Sequence, residues 1–477
     1  MGVVKYCIGS SSPTVSGQGW CVTDRCRPSD LAGCRVEALN SDIEVARDVL
    51  RYRRRGNDAR RGPLVATSVR AALGRRSRIP VEHSVITQAT VQDIDSGAAE
   101  TVDADYVLGC DGGSSLVRPA MGGSFQGGSG VRPNLSILFH APGLAERVPF
   151  QNASHHWVLA PGAGGIVGRL DLKDTWWAIV QGVDVATGED DPTAMVHTLV
   201  GDDIPVEIIA TDKWNCRMLL ADRYQSDEYP NLLIAGDAAH LNPPWGGHGF
   251  NTCVGDAVNI GWKLAAVLNG WGGPRLLPSY EPERRPVAAR TIADASANNK
   301  ALAHHFANDL LGEEGAEADA LRATVASDLQ VKKSEFHSLG LVLGYNYADS
   351  PVVTDDGTTV PAQDPIHYTP SAHPGCVLPH AWMTDGTSLY DHLGKGFTLI
   401  ALPGVGVDTG PIESAAAQHG IPLTLLALNP GAVEGEPQQL RDRWAADLLL
   451  VRPDQHVAWR GYDAGTAAAA LIRAAGW

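Results

Sequence analysis

The segment at residues 232–252, LLIAGDAAHLNPPWGGHGFNT, restricts the fold more strongly than any other part of the chain. Its first four residues are apolar without alternation, which is typical of a strand buried on both faces, as in a parallel sheet. A Gly-Asp pair, two prolines and three closely spaced glycines follow. Proline fixes φ, and glycine allows backbone conformations that other residues avoid. The segment therefore predicts a strand that ends in a turn of defined shape.

A helix is predicted directly after this turn, and Gly270 and Pro274 mark its end. Such a helix start has unpaired N–H groups and about half a positive charge, so it favours a ligand that becomes anionic. A phosphate and a reduced flavin are the alternatives, and the flat glycine surface favours a ring. The predicted apolar face of the helix consists of Val254, Ala257, Val258, Gly261, Leu264, Ala265 and Leu268.

Composition and charge restrict the class of partner. The chain has 477 residues, 44% of them apolar, which predicts a globular protein of two or three domains. A net charge of −16 argues against nucleic acid and anionic membranes, and no apolar run reaches the roughly 20 residues of a membrane span. Without a secretory signal or a disulfide framework, a cytoplasmic location is expected. Cys21, Cys26 and Cys34 fit no zinc pattern well, and no metal is expected.

A second apolar strand followed by an acid and a glycine turn lies at residues 106–118, YVLGCDGGSSLVR. Asp111 here and Asp237 in the first segment both stand at the carboxyl end of a predicted strand, where open α/β sheets bind ligands. A carboxylate there can accept hydrogen bonds from sugar-like hydroxyls. The alternative for Asp237 is a helix cap or a turn residue.

Residues 236–270 resemble the second FAD motif of the class A flavoprotein monooxygenases, the aromatic hydroxylases related to para-hydroxybenzoate hydroxylase and phenol hydroxylase. The resemblance implies that Asp237 binds the ribityl chain of FAD and that Pro243 to Gly249 lie along the isoalloxazine ring. The implied cofactor-binding residues of this segment are Gly236, Asp237, Pro244, Gly246, Gly247, Gly249, Phe250, Asn251 and Thr252.

Residues 106–118 resemble the DGxxSxxR motif of the same family, which touches FAD and the approach of NAD(P)H. The motif maps onto Asp111, Gly112, Ser115 and Arg118. Residues 374–402 and 448–461 resemble the thioredoxin-like tail of the phenol hydroxylase branch, without a Cys-x-x-Cys pair. A structural role or a subunit contact is therefore expected for this tail. Asp454 and His456 are interpreted as residues of a turn between strands.

The GxGxxG element that binds the ADP half of FAD in this family has no good match here. GQGWCV at Gly17 lacks the third glycine. An excess of arginine and cysteine near the start motivates the hypothesis of a shifted reading frame or a wrong start, which translation of the other frames would test. The basic residues 51–61 suit either a solvated loop or an anion-binding arm. Residues 70–88 resemble the family again and predict a helix and a strand.

The strand and helix patterns predict an α/β fold. The resemblance implies a Rossmann-like FAD-binding domain of the glutathione-reductase type, a β-sheet substrate domain and a thioredoxin-like C-terminal domain. Trp157, Trp176, Trp177 and Trp214 are predicted in the substrate sheet, each more typical of core than of substrate contact. His240 and His248 are interpreted as buried and hydrogen-bonded rather than as a proton relay. The predicted boundaries are 1–125 (partial FAD region), 126–222 (substrate sheet), 223–345 (FAD region and helices), 346–375 (linker) and 376–477 (C-terminal domain).

The resemblance implies an FAD-dependent monooxygenase: NADPH or NADH reduces FAD, O2 gives a flavin C4a-hydroperoxide, and a phenolic or polyketide-type aromatic substrate is hydroxylated. The cofactor carries the chemistry, while the protein positions the substrate and excludes water. No general base or other catalytic residue is identified. A small aromatic substrate and O2 are the expected partners, and a homodimer is the expected assembly. The alternatives are a Baeyer–Villiger or epoxidising flavin monooxygenase and a non-catalytic protein that has lost FAD.

Overall fold

The computed structural model describes residues 64–73, 85–93, 98–130, 133–147, 155–160, 163–171, 173–182, 191–303, 310, 313–434 and 437–477. The predictions for Gly17, for the three clustered cysteines and for residues 51–61 lie outside these residues. Within them the chain is α/β, as predicted, with its strands arranged in five sheets.

The strands of the described residues are, in chain order, β1 (Leu64–Leu73), β2 (Val85–Asp93), β3 (Ala99–Ala104), β4 (Val107–Gly109), β5 (Phe125–Ser129), β6 (Asn134–His140), β7 (His155–Ala160), β8 (Ala163–Arg169), β9 (Thr175–Val180), β10 (Glu207–Trp214), β11 (Arg217–Ala221), β12 (Leu232–Ile234), β13 (His240–Leu241), β14 (Phe397–Ala401), β15 (Leu423–Ala427), β16 (Leu448–Val451) and β17 (Val457–Gly461).

The α-helices are α1 (Val117–Ala120), α2 (Leu144–Arg147), α3 (Pro192–Val200), α4 (His248–Leu268), α5 (Tyr280–Ala303), α6 (Ala316–Asp328), α7 (Lys333–Phe336), α8 (Leu339–Leu343), α9 (Gly410–His419), α10 (Pro437–Trp444) and α11 (Ala464–Ala474). Short 3-10 turns include Gly236–Ala238 and Trp245–Gly247, which belong to the turn after β12. None of the described helices is both long and apolar enough to cross a membrane.

Strands β1, β2 and β3 form an antiparallel sheet in that order. The strand predicted within residues 70–88 is β2, but the helix predicted there is wrong for residues 70–73, which end strand β1. Residues 70–73 pair with 85–88 of β2, so the antiparallel ladder satisfies their backbone groups. This pairing is non-local, and the local pattern of the sequence does not reveal it.

The five-stranded sheet has the order β10-β6-β9-β8-β7 and is antiparallel throughout. The inward residues Leu135, Ile137 and Phe139 of β6 alternate with more exposed neighbours, and helix α3 covers this face. The four tryptophans predicted for this sheet lie in its strands, and Trp176 is in the core at 1% exposure. This sheet lies within residues 126–222, for which a substrate domain is predicted.

Helix α3 offers a local test of stability. The Asp191 carboxylate accepts hydrogen bonds from Thr193 N (2.9 Å) and Ala194 N (3.2 Å), which are otherwise unpaired helix-start amides. We expect Asp191→Ala to lower the free energy of unfolding by about 1 kcal/mol. Thr409, at the equivalent position of α9, makes no such bond, so Thr409→Ala should cost clearly less. Equal losses in urea unfolding would show that the Asp191 cap adds nothing.

The C-terminal sheet has the order β15-β14-β16-β17, with β14 and β15 parallel and the other pairs antiparallel. Helix α10 and strand β16 are followed by the turn that contains Asp454, by strand β17 and by helix α11, so the turn predicted there does lie between two strands. Phe397 of β14 packs in one cluster with Trp262 of α4, so the C-terminal domain and the α4 region share a core. Residues 346–375 contain no helix or strand, as expected of the predicted linker, although Tyr347, Val353 and Ala372 are buried.

Candidate functional site

Strands β4 and β12 bring the two sequence motifs together. The strands are parallel, with Leu232 opposite Val107 and Ile234 opposite Gly109. The pairing continues beyond them, since Ala235 N donates to Gly109 O at 3.0 Å. Leu232, Leu233 and Ile234 are fully buried, which confirms the prediction of a strand covered on both faces. The Asp111 and Asp237 turns therefore leave the same edge of the sheet side by side.

The turn after β12 depends on glycines in left-handed conformations. Gly236 has φ +64°, Gly246 has φ +78° and Gly247 has φ +66°. Helix α4 begins right after Gly247, and no side chain caps its start. An uncapped start of a 21-residue helix leaves its first N–H groups available to a ligand and places positive charge there.

The space beside this turn suits a flat guest. A methyl group added to Gly247 or to Gly112 would meet no heavy atom within 4 Å, so protein side chains do not fill these positions. Phe250 is 73% exposed, and Asp237 and Asn251 are exposed beside it. The carboxylate, the open glycine surface and the uncapped helix start fit the ribityl chain and ring of a flavin.

The predicted residues of this segment fall into two groups. Gly236, Asp237, Gly246, Gly247, Phe250 and Asn251 lie at least partly at the surface of the turn, and Gly249 is half-buried in the first turn of α4. Pro244 is exposed as well, whereas Thr252 is buried, and its Oγ1 donates to His248 O at 2.8 Å within the helix. Asp237 accepts a hydrogen bond from the Cys253 thiol at 3.4 Å. The Thr252 side chain therefore supports the helix start rather than faces an open ligand space.

The Asp-Gly motif residues form a local cap. The Asp111 carboxylate accepts hydrogen bonds from Leu116 N (2.7 Å) and Val117 N (3.2 Å), at the start of α1. Ser115 is buried, and its hydroxyl accepts from Arg118 N at 2.9 Å. One Asp111 oxygen is thus used for the protein's own turn, and the exposed residue can still contact a ligand.

Arg118 connects the two motifs directly. Its guanidinium donates to Gly113 O (2.9 Å) in its own motif and to Ala238 O (2.8 Å) in the turn after β12. It also lies 3.6 Å from the ring centroid of Phe125. Burial lowers the pKa of Arg118 from its ordinary value, although it remains a cation at neutral pH. In the structure Arg118 therefore holds the two predicted FAD-binding turns at a set separation.

The buried face of α4 differs from the predicted one. Val254 (38% exposed), Val258 (39%) and Leu268 (42%) are exposed, so the predicted apolar face is wrong for most of its residues. The buried residues of α4 include the polar Thr252, Asp256, Asn259 and Lys263 beside apolar ones such as Ile260, Trp262 and the predicted Leu264. The prediction failed because it ranked residues by apolarity, whereas these polar groups are buried with hydrogen-bonding and charged partners from elsewhere in the fold.

Asp256 is the hydrogen-bond acceptor that fixes the turn after β12. It is fully buried and accepts from Gly236 N (3.0 Å), from the His240 ring (2.9 Å) and from Arg284 Nε (2.8 Å). Burial raises the pKa of Asp256, but the Arg284 charge and the His240 bond outweigh it and hold the pKa below its ordinary value. His240 is thus buried and hydrogen-bonded, as predicted.

A second buried network lies further along α4. Glu283 of α5 accepts hydrogen bonds from Lys263 (2.6 Å) and from both ends of the Arg452 guanidinium (2.7 and 2.8 Å). Arg452 in turn binds Asp454, which also accepts from Trp262 Nε1 at 3.1 Å. Asp454 does lie in the predicted turn between strands, but it is buried and paired. Burial lowers the pKa of Lys263 to about 8.

The burial and pairing of these charged residues were not predicted from the sequence. Asp256 and Lys263 lie seven residues apart in a helix, which is two turns on one face. Such a pair inside a helix expected to be buried is a signal that buried partners exist. The partners Glu283, Arg284 and Arg452 could not be identified, because only the fold brings them to α4.

An aromatic cluster joins the turn after β12 to the five-stranded sheet. The Trp245 ring lies 5.4 Å from the Trp157 ring, and the Lys332 ammonium lies 4.3 Å from the Trp157 centroid. Lys332 pairs with Glu335, which accepts a hydrogen bond from Gly246 N. Burial lowers the pKa of Lys332 and raises that of Glu335. Trp157 and Trp177 therefore face the turn, whereas Trp176 faces the core.

His248 differs from the expectation in part. It is buried at 4% exposure, as predicted, and burial lowers its pKa, so the ring is neutral at pH 7. Its Nε2 has no hydrogen-bond partner among the described residues. In those same residues no group of three His, Cys, Asp or Glu side chains is arranged to hold a metal ion.

Two family models match the chain. An FAD binding domain matches residues 78–295, and an aromatic-ring hydroxylase C-terminal domain matches residues 371–476. The first match covers both turns of the site, and the second covers the sheet that carries Arg452 and Asp454.

Curated relatives and solved structures are similar to this chain over most of its length. The FAD-dependent monooxygenase opdD of Penicillium oxalicum is 32% identical over 83% of this chain and 79% of its own length. The 2,4-dichlorophenol 6-monooxygenase of Delftia acidovorans is 30% identical over 78% of this chain and 69% of its own length. The crystal structure of the flavin-dependent monooxygenase PieE with FAD and substrate matches with a TM-score of 0.73 and 29% identity, covering 82% of this chain and 73% of PieE. The chain spans 64% of the length of the FAD-dependent monooxygenase apdD of Emericella nidulans, which is less than two thirds.

Proposed function

This chain belongs to the FAD-dependent monooxygenases that carry an aromatic-ring hydroxylase C-terminal domain, and on that premise we propose that it hydroxylates a phenolic or polyketide-type aromatic substrate. The observation that carries the proposal is the uncapped start of α4 beside an open glycine surface and the Asp237 carboxylate. Relatives named as monooxygenases of 2,4-dichlorophenol and of phenol support the substrate class.

We assign the binding roles as follows. Asp237 would hold hydroxyls of the ribityl chain, and Gly246 and Gly247 would face the ring. The first N–H groups of α4 would stabilise negative charge on the reduced ring. Asp111, Gly112 and Arg118 would complete the site from the neighbouring strand. When bound, FAD would supply the redox chemistry, with NADPH or NADH as the reductant and O2 as the oxidant, as the resemblance to the family implies.

The chain's own residues would orient the aromatic substrate and keep water out. The proposed substrate space lies between the turn after β12 and the five-stranded sheet, where Trp157, Trp177 and Trp245 supply aromatic surface. Aromatic surface of this kind orients a planar ring by offset or edge contacts. The domain boundaries, the thioredoxin-like assignment of the C-terminal domain, the cytoplasmic location and the homodimer stay predictions.

The purified protein tests this proposal directly. We expect it to show a bound-flavin absorption spectrum, as isolated or after adding FAD, and phenols should stimulate its NADPH or NADH oxidation. Mass spectrometry of the product should show one oxygen atom added to an intact aromatic ring. Oxygen inserted into a ring, or an epoxide, would favour the alternative monooxygenase reactions. A protein that cannot be loaded with FAD would contradict catalysis.

A further inference from the structure

We propose that the turn Arg452–His456 of the C-terminal domain is a positioning unit of the FAD site, so that FAD binding and the packing of this turn stabilise each other. The inference rests on the proposed FAD site at Gly236–Thr252. It assigns a positioning role to the C-terminal domain, which has no Cys-x-x-Cys pair for redox exchange. The carrying observation is a continuous chain of short contacts from the turn to Gly236.

The first contacts join the turn to Tyr347. The His456 ring stacks on the Tyr347 ring at 4.2 Å between centroids, with 24° between the planes. The Arg452 guanidinium lies 5.3 Å from the same Tyr347 ring. Gln455 at the centre of the turn has φ +64°, a conformation that non-glycine residues adopt only when the surroundings support it. The turn is therefore held in one shape against Tyr347.

The next contacts join Tyr347 to the turn after β12. Arg284 NH1 donates to the Tyr347 hydroxyl at 3.0 Å, and Arg284 Nε donates to Asp256 at 2.8 Å. Asp256 then accepts from Gly236 N, the residue before Asp237. Arg284 NH2 also donates to Thr252 O, in the first turns of α4 (3.1 Å). One guanidinium thus holds both parts of the proposed site.

A parallel set of contacts holds the middle of α4. Arg452 binds Glu283, the residue before Arg284 in α5, and Glu283 binds Lys263 of α4. Glu283 and Arg284 are consecutive residues of α5, and both connect the C-terminal turn to α4. Bonds that involve ionised groups are stronger and more directional than neutral ones, and all of these residues are buried.

The expected coupling follows from thermodynamic linkage. A turn that stabilises the FAD-binding geometry lowers the cost of ordering Gly236 and the start of α4 when the cofactor binds. FAD must then stabilise the packing of the turn to the same extent.

The test compares two matched tyrosine variants in the full chain. Tyr347→Phe removes only the hydroxyl that receives Arg284 NH1 and keeps the stack on His456. Tyr390→Phe removes a comparable hydroxyl, which donates to Leu378 O inside the C-terminal domain and touches neither Arg284 nor α4. We expect Tyr347→Phe to weaken FAD binding about tenfold and Tyr390→Phe to leave the dissociation constant within about twofold.

A readout in the FAD-free protein separates this inference from the proposed function. Hydrogen exchange of the segment around Gly236 should be about tenfold faster in Tyr347→Phe than in Tyr390→Phe. In an Asp256→Asn background the effect of Tyr347→Phe should disappear, because the route runs through Asp256. His456→Leu, which removes the ring stacked on Tyr347, should act in the same direction and serves if Tyr347→Phe does not fold.

The outcomes are distinct. Equal exchange around Gly236 in the two tyrosine variants, or an undiminished effect in the Asp256→Asn background, would overturn the positioning role. Faster exchange in Tyr347→Phe in a protein that cannot be loaded with FAD would support the positioning of Gly236 by the turn, but it would overturn the coupling to FAD together with the proposed enzyme activity.

Discussion

Replacing Glu283 by glutamine is expected to lower the free energy of unfolding by about 3–5 kcal/mol. The carboxylate is fully buried and is the shared partner of Lys263 and Arg452. An amide of the same size keeps the packing but leaves two buried cations short of negative charge, and uncompensated buried charge is far more costly than an unpaired surface charge. Thermal and urea unfolding would measure the loss.

Glu413→Gln provides the matched control. Glu413 lies on the surface of α9 and accepts one hydrogen bond from Thr409 Oγ1, so its loss should stay within about 0.5 kcal/mol. If the two variants unfold alike, the buried network does not stabilise the contact between α4, α5 and the C-terminal domain.

The pH dependence of the Glu283 effect has a definite sign. Burial raises the pKa of Glu283, but the Arg452 and Lys263 cations outweigh it and hold the pKa well below its ordinary range. A carboxylate with a depressed folded-state pKa stabilises the fold fully above its unfolded pKa, about 4.3, and loses that contribution as the pH falls. The difference between the wild type and Glu283→Gln should therefore be largest near neutral pH and shrink progressively below about pH 4.3.

Replacing Gly247 by alanine is expected to weaken FAD binding by about 10- to 100-fold. The added methyl group would stand in the open space beside the turn, where the proposed ring lies, and it would meet no protein atom within 4 Å. The variant should therefore fold with an intact site that the cofactor enters poorly. Fluorescence titration of the FAD-free protein measures the dissociation constant.

Gly420 supplies an unusually close control for this substitution. Gly247 has φ +66° and ψ +22°, and Gly420, at the end of α9, has φ +63° and ψ +24°. A methyl group at Gly420 likewise meets no atom within 4 Å. Alanine should cost about 1–2 kcal/mol of stability at either position, because the backbone strain is the same. Only Gly247→Ala should lose FAD affinity; unchanged binding in that variant would place the ring elsewhere.

The structure of the turn after β12 could be predicted from the sequence because each of its signals is local. The buried strand before Gly236, the left-handed glycines and the helix after them follow from residues that are neighbours in the chain. The motif resemblance at Asp111 and Asp237 predicted the family, and the parallel pairing of β4 with β12 places both residues at one edge. Local backbone preference and apolar runs carry this information without any tertiary contact.

The partners of the buried charges required the fold. Asp256 and Lys263 place charges on the buried face of α4, whereas Val254 and Val258, which were predicted inside, are exposed. Asp256 pairs with Arg284, 28 positions along the chain, and Lys263 pairs with Glu283, 20 positions along, while Arg452 lies 169 positions from Glu283. A charged side chain is stable in the protein interior only beside a group of opposite charge. The periodicity of a helix does not reveal whether such a group lies on another helix or strand.

By itself, then, the amino-acid order determined the strand-turn-helix unit, the family and the residues that line the proposed cofactor surface. Only the tertiary structure decided which face of α4 is buried, what holds Gly236 in place and how closely the C-terminal domain is joined to that turn. The division follows from range: backbone conformation is set by neighbours in the chain, whereas the burial of charge depends on groups that meet only when the chain is folded.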